Sequence, residues 1–124
     1  MVQVAQNQKV YLGNAFSISM LSLTPAGKVI VEFRRASIEE VRALLSNGGF
    51  ISAIGHPATA SALSKILGVN VPTNRVSITL QPGDTLIVFQ LNLGRLAPGQ
   101  ELGEQDIINA FSQGKAFFVI ARVQ

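Results

Sequence analysis

Along this chain the spacing of apolar residues switches between a two-residue and a three-to-four-residue period, as strands alternating with helices require. Residues 9–13 read as a first strand, after which Asn14 is placed to cap a short helix over residues 15–21, ahead of the Thr24-Pro25-Ala26-Gly27 turn. In residues 28–35, Val29, Val31 and Phe33 alternate with Lys28, Glu32 and Arg34, a half-buried strand. Ser37 with Glu40 three positions on forms a capping-box pattern, and Ile38, Val41, Leu44 and Leu45 then share one helical face until Asn47-Gly48-Gly49 ends it.

A short extended piece over residues 50–54 follows. Pro57 suits the first position of the next helix, where its missing N–H costs nothing, and this puts His56 at the N-cap. Ala60, Leu63, Ile66 and Leu67 continue that helix to a stop at Gly68. Residues 74–80 alternate again, with Val76, Ile78 and Leu80 on one side, and Pro82-Gly83-Asp84 reads as a hairpin turn. Residues 85–93 are almost continuously apolar, as in a central strand buried on both faces. A helix over residues 104–113, closed by Gly114, and a last strand over residues 115–123 complete the pattern. The expected fold is α/β (α+β), one domain over residues 9–124 with a mixed sheet of about five strands flanked by helices, behind a flexible leader of residues 1–8.

Composition narrows the class. Hydrophobic residues are 48% and charged residues 14%, which excludes a disordered chain and leaves apolar surface for a subunit interface, so a homodimer is expected. The longest stretch without a charged side chain, residues 43–64, is broken by Asn47, Gly48, Gly49, Gly55, His56 and Pro57, and so reads as two elements and a loop rather than a membrane span. Without a basic start and apolar core at the N-terminus, the expected location is cytoplasmic. Zero cysteines and one histidine rule out a Cys/His zinc site within one subunit. Glu32, Asp84, Glu101, Glu104 and Asp106 show no metal-ligand spacing, so no cofactor is expected. A formal charge of +3 mildly favours an anionic partner, although an ordinary basic surface accounts for it equally well.

A lone histidine is more often structural than catalytic. Here Gly55-His56-Pro57 sits between an extended piece and a helix start, where free N–H groups and the helix dipole attract phosphate. Asn14, after Gly13, marks a second such junction, and two junctions on one sheet edge would frame an anion crevice. Arg75 and Arg95, at the start of one strand and just after another, have two readings: solvated surface, or guanidinium forks on phosphate.

The segment Tyr11-Leu12-Gly13-Asn14-Ala15-Phe16-Ser17-Ile18-Ser19-Met20-Leu21 closely resembles the opening of the type III anti-CRISPR ring nucleases, small proteins of archaeal viruses and bacterial mobile elements. Ile51-Ser52-Ala53-Ile54-Gly55-His56, Asn74-Arg75-Val76, Arg95-Leu96 with Gly99, and an echo at Gln113-Gly114-Lys115 agree in order, so the resemblance covers nearly the whole chain from Lys9. It implies a homodimeric, metal-independent enzyme that binds cyclic tetra-adenylate between its subunits and cuts it, silencing type III CRISPR signalling. Neither a membrane nor duplex nucleic acid is implied as a partner. By matching position, His56 would be catalytic, and Asn14, Arg75 and Arg95 would bind the ring, joined by Gln90, which one extra residue separates from Arg95 compared with relatives. Many relatives carry an acidic pair where this chain has Ala97-Pro98, and Asp-Ser where it has Pro57-Ala58. A module that binds or sequesters the ring without cutting it is the alternative expectation, and a purely structural protein the third.

Overall fold

The computed structural model describes residues 8–47, 49–93 and 101–124. The expectations placed on residues 1–7, Arg95, Leu96, Ala97, Pro98 and Gly99 lie outside the described residues. Five strands form one sheet: β1 (Val10–Gly13), β2 (Val31–Ala36), β3 (Ile51–Ser52), β4 (Thr85–Leu91) and β5 (Ala116–Val123), in spatial order β2-β5-β4-β1-β3. β1 runs parallel to both β3 and β4, whereas β5 is antiparallel to β4 and β2. Four strands therefore point the same way, and their carboxyl ends share one edge. This is the expected single-domain α+β fold with a five-stranded mixed sheet.

One face of the sheet is covered by α1 (Ile38–Ser46), α2 (Pro57–Leu67) and α3 (Glu104–Ser112). Under them lies the larger core, where Leu12, Ile87, Phe89, Phe118 and Ile120 from the strands meet Val41, Leu63, Leu67 and Ile107 from the helices. α1 starts as its sequence dictates: the Ser37 hydroxyl accepts the Glu40 N–H, and the Glu40 carboxylate accepts the Ser37 N–H. The Arg34 guanidinium on the same carboxylate holds Glu40 below the usual range, against an opposing cost of desolvation. α2 has Pro57 at its first position and ends at Gly68, whose φ of 72° is the left-handed conformation that glycine adopts without strain.

The opposite face is covered only in part. Tyr11, Leu86, Val88, Ala121 and Val123 are sealed there by Phe16, Met20, Leu21, Ile78 and Leu80 from two irregular segments. Three sequence expectations need correction on this face. Residues 15–21 do not form an α-helix capped by Asn14; a single 3-10 turn, Ile18–Met20, forms instead because the Ser17 hydroxyl accepts the Ser19 N–H and becomes the cap. Residues 74–80 are not a strand. They lie extended across the sheet face with one parallel bridge, Leu21 to Leu80, so Pro82-Gly83 turns into β4 without making a hairpin. The third concerns exposure: Phe33 is 52% and Val76 46% exposed, although the alternation placed both on buried faces.

Asp84 anchors the opposite edge. Its buried carboxylate accepts the N–H groups of Lys9 and Gln81, each at 2.9 Å, tying the start of β1 to the turn before β4. Asp84→Ala removes both acceptors and leaves two donors unpaired, so denaturant unfolding should show a loss of about 2–4 kcal/mol. Asp84→Asn, which keeps one acceptor, should recover part of it.

Candidate functional site

At the carboxyl edge the parallel strands bring together residues far apart in sequence. Gly13 of β1 pairs with Val88 of β4, and Leu12 with Ser52 of β3. Asn14 therefore leaves the sheet between the exit of β3, which leads through Ala53, Ile54 and Gly55 to His56, and the end of β4, which carries Gln90. The two exits share an edge as expected, but only the one at His56 leads into an α-helix.

A polar clasp fixes the exit of β3. The Ser52 hydroxyl, nearly buried, donates to the Pro72 carbonyl at 2.6 Å. Asn74 then donates its backbone N–H to the Ile54 carbonyl at 2.7 Å and its side-chain Nδ2 to the Ser52 carbonyl at 2.6 Å. These bonds lay the next residue, Arg75, directly along Gly55. A Cβ placed on Gly55 would stand 3.3 Å from Arg75 Nε and 3.4 Å from its Cγ. A side chain on Gly55 would therefore press on the arginine stem, which would have to give by a few tenths of an ångström. Arg75 starts no strand, contrary to expectation, yet the clasp places it beside Gly55, the residue before the histidine. Neither Ser52 nor the Asn74 amide is given a role by the sequence, and the one signal for them is that both lie in segments resembling the ring nucleases.

His56 is the N-cap of α2, extended at φ −116° and ψ 125°, and its imidazole makes no capping bond. Its carbonyl accepts the Ala60 N–H at 3.1 Å, which leaves the N–H groups of Ala58 and Thr59 in the first turn without a helical carbonyl. Among the described residues the exposed imidazole has no hydrogen-bond partner, and it stands at the positive end of an 11-residue helix, where a ligand could meet it. Between β1 and the irregular segment runs a groove of about 410 Å³, lined by Asn14, Ser19, Ala53, Ser77 and Thr79 among others. His56 and Arg75 do not line it, but their near neighbours Ala53 and Val76 do. Gln90 is exposed on the same sheet face, and among the described residues its amide makes a single long contact, 3.4 Å to the Leu91 carbonyl. A larger depression of about 610 Å³ lies at the other edge, around Lys9, Asn47 and Arg122. It is remote from all these residues.

Among the described residues no group of three or more His, Cys, Asp or Glu side chains converges as metal ligands would, and no helix is long and apolar enough to cross a membrane.

Comparison with known proteins gives this arrangement a context. A protein of the Acidianus two-tailed virus, the uncharacterized ORF117, is 42% identical over 95 residues, covering 75% of this chain and 79% of its own. ORF116 of Acidianus filamentous virus 1 is 31% identical over 113 residues, covering 91% and 94%. Protein 26 of the Sulfolobus islandicus filamentous virus is 43% identical over 80 residues, covering 64% and 67%. Among solved structures, B116 of the Sulfolobus turreted icosahedral virus superposes with a TM-score of 0.70 at 30% identity, covering 92% of this chain and 98% of B116. With residues 10–113 also matching the family's model, the chain belongs to the STIV B116-like family.

Proposed function

We propose that this protein is a metal-independent ring nuclease that binds cyclic tetra-adenylate between two copies of the chain and cuts it, switching off type III CRISPR signalling in the cytoplasm of an infected host. The observation that carries this reading is the exposed His56 imidazole at a helix N-terminus, unpartnered among the described residues, with the Arg75 side chain packed against the residue before it and Asn14 on the same edge. The resemblance of the matching segments to the ring nucleases, and the viral origin of the relatives, support it. Exposed Ile18, Phe33 and Val76 on the sparsely covered sheet face supply the apolar surface on which a second copy would close.

A cyclic tetranucleotide contains a two-fold axis, so it can lie on the axis of a symmetric dimer and offer equivalent bonds to both copies of His56. At each of the two bonds beside a His56, the ribose 2′-hydroxyl attacks its adjacent phosphorus and releases its proton to solvent. The P–O5′ bond breaks as protonated His56 donates to the departing oxygen, a role worth roughly 10²–10⁴ in rate. Two cuts give two diadenylates ending in 2′,3′-cyclic phosphate. Asn14, Arg75, Gln90 and Arg95 hold the ring, with the arginine forks suited to phosphate.

A second reading, a sequestering module, is favoured by one observation: among the described residues neither ion pair involves His56, so no carboxylate orients its imidazole. Titrating the ring into the protein while following mass by light scattering tests the binding step that both share. One ring per two chains is expected, and absence of binding at micromolar ring would refute both. Gly55→Val, whose branched side chain must displace Arg75, should weaken binding by about ten- to a hundredfold, the worth of a charge-assisted hydrogen bond. Unchanged affinity in a calorimetric titration would remove Arg75 from the clamp.

A further inference from the structure

The sparsely covered face carries one more preorganised group. Arg35, on edge strand β2, lays its guanidinium carbon 3.8 Å from the centroid of the Phe117 ring of β5. Its neighbour Arg34 projects to the helix side and is neutralised by Glu40, whereas Arg35 forms no ion pair among the described residues. Strand register fixes where this stack lies relative to the groove. Arg35 pairs with Val119, Val119 with Val88, and Val88 with Gly13, so Arg35 stands in one row with a groove-lining glycine, on the same sheet face. Three strand spacings separate them, about 14 Å. Phe117, in turn, lies directly opposite Gln90, two pairs closer to the carboxyl edge. The arginine therefore leans toward the site.

A guanidinium held flat on an aromatic ring has one planar face against the ring and the other turned outward, and such a plane stacks on a nucleobase. From this we infer that Arg35, held by Phe117, is a stacking platform for an adenine base. The inference rests on the ring-binding reading above and adds to it a base-recognition subsite, on the far side of Gln90 from the phosphate-binding edge. The platform acts through planarity as well as charge. Lysine at the same position would keep the charge and lose the plane.

Binding of cyclic tetra-adenylate by wild type, Arg35→Ala, Arg35→Lys and Phe117→Leu, with thermal melts to verify folding of each, tests this. Arg35→Ala and Arg35→Lys should both weaken binding by about 5- to 150-fold, the range of one lost base stack. Phe117→Leu should weaken it in the same direction by freeing the guanidinium. If Arg35→Ala binds as wild type does, the platform is wrong while the ring-binding reading stands. Should lysine restore full affinity, Arg35 contributes charge alone, and the stacking claim falls. A wild-type protein that binds no ring overturns both together. The Arg35 variants alter an exposed side chain at a sheet edge, so their melts should match wild type.

Discussion

Replacing His56 by alanine should lower turnover of cyclic tetra-adenylate by roughly 10²–10⁴-fold while ring affinity stays within a few-fold of wild type. The separation follows from geometry. The imidazole makes no capping bond, and the fold keeps Pro57 as the first residue of α2 whatever precedes it, so truncation removes a proton donor without loosening the helix. The Arg75 clamp is held independently by Asn74 and Ser52, and so survives. Single-turnover kinetics beside equilibrium binding would check this. A parallel loss of both would mean that His56 binds rather than reacts, and undiminished cleavage would place the chemistry elsewhere.

Phe89→Ala should cost about 3–5 kcal/mol, the largest stability effect expected of any single substitution here. Phe89 is fully buried on central strand β4, and its ring centroid lies 5.3 Å from that of Phe118 and 6.4 Å from that of Phe111 of α3. Phe111 and Phe118 also touch, at 5.7 Å, so the three rings form one cluster between sheet and helix. Truncation would open a cavity that neither strand can close, because β4 is paired on both sides. The melting temperature should fall by roughly 10–25 °C. A drop of only a degree or two would mean that α3 settles into the gap.

The contrast between these two residues shows what the sequence could reveal. Helices were legible wherever a chemical stop or start accompanied the period, as at Ser37 with Glu40 and between Pro57 and Gly68. Alternation proved to report burial or pairing but not always both: Phe33 is paired in β2 yet exposed, and the reverse holds in residues 74–80. Ile78 and Leu80 are buried as their spacing implies, yet they reach the sheet from an unpaired segment, and the pattern looks the same in both cases. Residues 15–21 misled for a local reason: Ser17 offers a cap three residues inside the expected helix, leaving room for one turn only. Of the site, His56, Asn14 and Arg75 stood out from the sequence, Gln90 entered through the resemblance alone, and parallel pairing of β1 with β3 and β4 brought the exits carrying His56, Asn14 and Gln90 to one edge. The closeness of Arg75 to Gly55 depends on a clasp of side-chain and backbone bonds that no periodicity encodes. Arg35 on Phe117 depends on the strand order, since 82 positions separate the two in sequence.

The central claim is tested most directly by incubating the protein with labelled cyclic tetra-adenylate in the presence of a chelator and resolving the products. Wild type should yield linear diadenylate ending in 2′,3′-cyclic phosphate, and His56→Ala should leave the ring intact over the same period. A ring that survives wild-type protein, or cleavage that stops when divalent metal is removed, would contradict the account.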